Sequence, residues 1–186
     1  MEIIKATKNG ERSFSVGGYE LNEKRTVRLT GTINSELADR IIGMLEYLDD
    51  VSGDDIFLYI NSPGGAVTDG MAIVDAVGRL RSKVHIIAQG HAYSMAAFIL
   101  ASGKKGFRKA TPNTEIMLHQ ILGGANGQAS DIELEARHIH SIKAKINTML
   151  AEWTEKDYET IERDTDRNYF LSAQKALDYG IIDEII

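Results

Sequence analysis

The chain has 186 residues, 43% apolar and 26% charged, with two prolines, no cysteine and a net charge of −6 from 27 acidic and 21 basic side chains. Its length fits one domain with a sizeable core, and its composition excludes collagenous, mucin-like and broadly disordered chains. The lack of cysteine excludes disulfide frameworks, thiolate zinc sites, iron–sulfur clusters and cysteine nucleophiles, and the acidic balance argues against nucleic acid as the main partner. The longest apolar run, Met95 to Ala101, is seven residues, where a membrane span needs roughly 18–20. The opening residues lack the basic-then-apolar layout of a signal peptide. A cytoplasmic protein without membrane attachment is therefore expected.

The first 20 residues are polar and punctuated by Gly10, Gly17 and Gly18; they read as a mobile or partner-ordered arm. Thr26-Val27-Arg28-Leu29-Thr30 alternates like a strand. Asn34 or Ser35 then caps a helix whose Leu37, Ile41, Ile42, Leu45 and Leu48 recur at helical spacing. Ile56-Phe57-Leu58-Tyr59-Ile60 is a short run of β-formers, expected to be buried on both faces. Asn61-Ser62-Pro63-Gly64-Gly65 breaks it, and a helix follows from about Thr68 to Leu80. Val84-His85-Ile86-Ile87-Ala88 is a second buried strand, broken at Gly90, and Ser94 to Ala101 reads as the next helix. Strand, glycine turn and helix thus recur in succession, which predicts an α/β fold with a mostly parallel sheet.

Glu115 to His119 is a further strand, and Gly123-Gly124-Ala125-Asn126-Gly127-Gln128 is too rich in glycine to hold a strand unaided. Ser130-Asp131-Ile132-Glu133 fits a capping box. It opens a helix to about Trp153, roughly 34 Å long, with Ile132, Ala136, Ile139, Ile142, Ile146 and Met149 on one stripe. So long a helix has no obvious place inside one compact domain, so its stripe is expected to pack on another subunit.

The glycine turns fall where an open α/β sheet places its ligands, beyond the carboxyl ends of the strands. Ser94 stands at such a turn and at a helix start. It is either a helix cap or a nucleophile beside free backbone N–H groups. Its surroundings, Ala92-Tyr93-Ser94-Met95-Ala96, do not match the G-x-S-x-G of α/β-hydrolases. His119 at a strand end is either a hydrogen-bonded structural residue or a general base. His138 and His140, two apart on the long helix, point to different faces and predict no metal site.

The combination is more specific than its parts. Asn61-Ser62-Pro63-Gly64-Gly65, Gly90-His91-Ala92-Tyr93-Ser94-Met95-Ala96-Ala97 and Met117-Leu118-His119-Gln120 together resemble the proteolytic subunits of the Clp protease family. The likeness continues through Leu122 to Ala129 and Glu162-Arg163-Asp164-Thr165-Asp166-Arg167-Asn168-Tyr169-Phe170. It runs in order from Gly10 to Asp183.

The resemblance implies a crotonase-like α/β spiral of repeated β-β-α units carrying a protruding handle, here residues 123–153, on a single domain of residues 1–186. It implies a serine-type endopeptidase with Ser94 as nucleophile and His119 as base. Gly65 and Met95 would supply the oxyanion hole. Gly65, Val67 and Leu122 would hold unfolded polypeptide as an added strand. No cofactor or metal is implied. The partners implied are further copies in stacked seven-membered rings and an AAA+ ATPase that feeds substrate.

Where the family has the third triad member, aspartate, this chain has Asn168. Its carbonyl can accept from the imidazole, but its amide can equally donate and select the wrong tautomer. Asp166 and Asp164 are nearby substitutes, two and four residues away. Tyr93 replaces a small residue before the serine, and Ile121 replaces a proline. The end at Ile186, without the family's short tail, is expected to alter ATPase docking. Together the departures point to a weak site, or one that works beside a paralogue; the rival readings are a catalytically silent subunit that shapes a mixed complex, and an acyl-CoA enzyme of the crotonase type.

Overall fold

A computed structural model describes residues 2–8 and 10–186. Met1 and Asn9, both within the expected arm, lie outside the described residues. The arm holds regular structure: strands β1 (Glu2–Thr7) and β2 (Gly10–Ser15) pair as an antiparallel hairpin. Helix α1 (Val16–Lys24) follows, its Gly18 N–H donating to the Ser15 hydroxyl at 3.0 Å.

The main sheet is built from β3 (Thr26–Thr30), β4 (Ile56–Ser62), β5 (Val84–Tyr93), β6 (Arg108–Ala110) and β9 (Glu184–Ile185), parallel and in that order. Helices α2 (Ser35–Val51) and α3 (Val67–Arg79) make the crossovers between its first three strands. Asn34 caps α2, accepting from the Leu37 N–H at 2.9 Å. A fold of mixed α/β type with a parallel-dominated sheet is therefore present, as the recurring strand–turn–helix pattern predicts. Ile56, Leu58 and Ile60 of β4, Ile86 and Ala88 of β5, and Leu29 of β3 are all fully buried. Helix α4 (Met95–Ala101) is buried at every residue, which explains a seven-residue run with no polar side chain.

Strand β5 does not end at Gly90, as its sequence suggests, but runs ten residues to Tyr93. Its register with β4 slips between Ile60↔Ala88 and Ser62↔Ala92, where Gly90 adopts φ +84°. A Cβ at Gly90 would approach the Asn61 side chain to 2.9 Å. The bulge turns the strand: residues 86–88 pair with β6, whereas His91–Tyr93 pair with β7 (Glu115–Leu118). One strand thereby serves two neighbours, and its far end carries Ser94.

After β7, residues 119–126 have no regular structure, so the glycine-rich segment forms no strand within this chain. Helix α5 (Ala129–Thr154) starts after Gln128 without a side-chain cap; the capping box read at Ser130–Glu133 is not formed, because those residues are already inside the helix. The helix is 26 residues, about 39 Å. Its first ten residues are exposed, Ile132 and Leu134 among them, whereas Asn147, Leu150 and Thr154 near its end are buried. Helix α6 (Tyr158–Asp164), strand β8 (Tyr169–Ser172) and helix α7 (Ala173–Tyr179) complete the chain, with β8 antiparallel to β7.

Asp49 at the end of α2 is buried and accepts from the backbone N–H groups of Arg81 (3.1 Å) and Ser82 (2.7 Å). Burial opposes its ionisation, but the bonds from Ser82 and Arg81 outweigh it and bring its pKa down to about 2. Asp49→Ala is expected to cost about 1.5–3 kcal/mol at neutral pH. A depressed carboxyl pKa adds stability that is complete above the unfolded value near 4 and disappears as pH falls toward 2. The difference between the two proteins in urea unfolding should shrink over that window.

Candidate active site

The site is assembled at the carboxyl ends of β4, β5 and β7. Ser94 joins β5 to α4 with φ 54° and ψ −124°. Among the described residues, the other non-glycine positions with positive φ, Arg25 and Glu155, sit at helix C-caps in the ordinary left-handed region. Ser94 does not, and such backbone costs of the order of 1–3 kcal/mol. It is held by its own N–H donating to Met117 O (2.8 Å) and by the Phe98 N–H donating to its carbonyl (3.1 Å). The Ser94 hydroxyl makes no capping bond. The serine thus does not cap the helix through its side chain; it stands on a strained strand-to-helix elbow at the cavity.

The Ser62–Gly65 turn packs against this elbow. Ser62 donates from its hydroxyl to Gly31 O (2.6 Å) and accepts from the Gly64 N–H (3.1 Å). Glycine is required twice here. A Cβ at Gly64 (φ +91°) would lie 2.6 Å from Tyr93 O and 2.8 Å from Ser94 Cβ. One at Gly65 (φ +155°) would lie 2.1 Å from Ile33 O. The backbone N–H groups of Gly65 and Met95 donate to no acceptor among the described residues. They are two free donors flanking one hydroxyl.

Ser94, His119, Gly65, Met95, Val67 and Leu122 all line one cavity of about 260 Å³. Leu122 is 81% exposed at its rim. Phe98, Leu118, Ile146 and Leu150 add an apolar wall. The last two were not legible as site residues: helical spacing marks Ile146 as apolar but not as facing its own subunit's cavity, and Leu150 stands off the stripe. Ile121 lines the cavity, whereas Tyr93 does not. The Tyr93 hydroxyl bonds the Glu115 carboxylate, and its ring meets the edge of Phe170 at 6.0 Å between centroids. That bond, with burial, raises the phenol's pKa. Tyr93 is therefore tied to β7 and away from the cavity.

Asn168 is not among the cavity-lining residues. The β7–β8 ladder pairs Glu115↔Ser172 through Leu118↔Tyr169 and ends there, so His119 and Asn168 each lie one residue beyond its last pair. Among the described residues no hydrogen bond joins Ser94, His119 and Asn168. The two substitutes considered for the acid are engaged elsewhere. Asp164 accepts from the Tyr179 hydroxyl (3.1 Å) and Arg163 Nε (3.0 Å), and Asp166 accepts from Gln120 Nε2 (3.2 Å).

Burial lowers the pKa of His119, keeping the imidazole neutral and able to accept a proton. With His119 acting as a general base, activity is lost as pH falls through its own pKa, so the acid limb of kcat/KM should lie below the ordinary 6.5 of histidine. Placing a carboxylate at position 168 should move that limb upward, because negative charge favours the imidazolium. A pH–rate profile of both proteins checks the two signs.

A strained serine elbow, two free backbone donors and a histidine thus meet at one cavity at the carboxyl ends of an α/β sheet. The family model described as Clp protease matches residues 8–186. The chain belongs to the Clp protease family.

Proposed function

We propose that this protein is a proteolytic subunit of a Clp-type protease, a serine-type endopeptidase acting on unfolded polypeptides inside a ring chamber. The single observation that carries this reading is the convergence of Ser94, His119 and the free N–H groups of Gly65 and Met95 on one cavity. Ser94 attacks the peptide carbonyl, and His119 takes its proton and returns it to the leaving amine. Gly65 and Met95 receive the developing oxyanion. Backbone groups near Gly65–Val67 and Leu122 hold the peptide as an extended strand. Asn168 stands in the orienting position but carries no charge with which to stabilise the imidazolium. No cofactor or metal enters these steps.

The exposed first half of α5, with Ile132 and Leu134, and the exposed Leu122 support a handle over residues 123–153 that becomes buried between copies. Stacked heptameric rings, a paralogous subunit with a complete triad and an AAA+ ATPase are the assembly proposed, in the cytoplasm. Among the described residues no helix is long and apolar enough to cross a membrane. A second reading, a catalytically silent subunit of a mixed complex, is favoured by the lack of hydrogen bonds among Ser94, His119 and Asn168.

Cleavage of an unfolded protein by the assembled chain, alone and mixed with a paralogue, against Ser94→Ala in the same assemblies, separates the two. Loss of this subunit's cleavage in Ser94→Ala supports the endopeptidase. Equal cleavage with and without the Ser94 hydroxyl supports the silent subunit.

A further inference from the structure

Gln120 follows His119 at the point where the β7–β8 ladder ends. Its backbone N–H donates to Thr165 O at 2.6 Å. Its side-chain Nε2 donates to Asp166 O (2.8 Å) and to Asp166 Oδ1 (3.2 Å). Thr165 is itself buried, its hydroxyl donating to Ile161 O at 2.7 Å, so the start of the 165–168 turn is fixed to α6. Gln120 ties the middle of that turn to the strand end that carries His119. Beyond it, Tyr169 re-enters the ladder opposite Leu118. Asn168 lies between these two anchors and is exposed, with no side-chain hydrogen bond of its own among the described residues. Its placement is therefore set by the backbone on either side.

We propose that Gln120 is a positioning residue: it fixes the turn that sets residue 168 against His119. The inference rests on reading Ser94 and His119 as nucleophile and base. A carboxylate at position 168 would be drawn to an imidazolium by charge, but the neutral amide of Asn168 has only its position to rely on. Gln120 also lines the Ser94 cavity, so a packing role must be separated from a positioning one.

A double-mutant cycle does so, with kcat and KM measured for a short fluorogenic peptide in the assembled protein. Gln120→Glu keeps the size of the side chain but removes both Nε2 bonds, and Gln120→Ala removes the side chain; each is combined with Asn168→Asp. The gain in kcat from Asn168→Asp is expected to fall at least ~10-fold in either Gln120 background, with KM little changed. The upward move of the acid limb that Asn168→Asp brings should disappear with it. Asp166→Ala, which keeps the bond to the backbone carbonyl, should retain most of the gain. Melting curves of each variant confirm folding, and Gln120→Glu decides the matter if Gln120→Ala does not fold.

An additive cycle, with the full Asn168→Asp gain in both backgrounds and effects confined to KM, overturns the proposal and leaves Gln120 as cavity wall. If a serine-reactive phosphonate forms no adduct on Ser94 in the native or the Asn168→Asp protein, the peptidase reading fails and this inference with it.

Discussion

Asn168→Asp is expected to raise kcat for peptide hydrolysis by as much as ~10⁴-fold in the assembled protein. In serine proteases of the chymotrypsin type, the converse change at the triad aspartate leaves the geometry intact and lowers kcat by about that factor. The corresponding transition-state stabilisation is roughly 5.5 kcal/mol. The β7–β8 ladder ends at Leu118↔Tyr169, so His119 and residue 168 each lie one residue beyond its last pair. A carboxylate there fixes the tautomer with Nδ1 protonated and offsets the charge that forms when Nε2 takes the serine proton. KM should change little, because residue 168 does not line the cavity. An unchanged kcat would remove Asn168 from the site.

The second large effect concerns stability. Arg108 is fully buried and bonds the Asp183 carboxylate through Nε (3.0 Å) and a terminal nitrogen. It also donates to Trp153 O at 2.9 Å, at the end of α5, and to Ala101 O at 3.4 Å, at the end of α4. Asp183 in turn accepts from the N–H groups of Gly106 (2.7 Å) and Arg108 (3.1 Å). Burial raises the cost of its charge, yet the Arg108 guanidinium and these N–H groups hold its pKa below the usual value. Arg108→Ala strands a carboxylate and two carbonyls in the interior, and should cost about 3–5 kcal/mol. For a chain of this size that lowers Tm by roughly 6–20 °C. Arg108→Met combined with Asp183→Leu should recover much of the loss, since the unpaired charge is the costly species; thermal unfolding of the two proteins checks both statements.

How far the fold could be read in advance depends on where its determinants lie. The buried strands at Ile56–Ile60 and Val84–Ala88 and the α2 cap at Asn34 were legible because each follows from local pattern. The β1–β2 hairpin was not: its strands are mostly exposed on both faces and show no alternation of apolar and polar residues. Gly90 misled because glycine ends strands more often than it bends them, and only the pairing partners of β5 distinguish the two. At the site, Ser94, His119, Gly65, Met95, Val67 and Leu122 were singled out through motifs in register, and the cavity unites them. That His119 and Asn168 both fall just past the end of the β7–β8 ladder depends on pairing between segments some 50 residues apart, which no local pattern encodes. Gln120 escaped notice as a site residue for the same reason, since its partners at Thr165 and Asp166 are set by that ladder.

The central claim is that the Ser94 hydroxyl is a nucleophile served by His119. Treatment with a serine-reactive phosphonate, followed by mass spectrometry of the digested chain, tests it most directly. The native protein, alone or beside a paralogous subunit, should carry one adduct on Ser94, formed faster in Asn168→Asp and lost in His119→Ala. A chain that carries no adduct on Ser94 in any of these assemblies contradicts it.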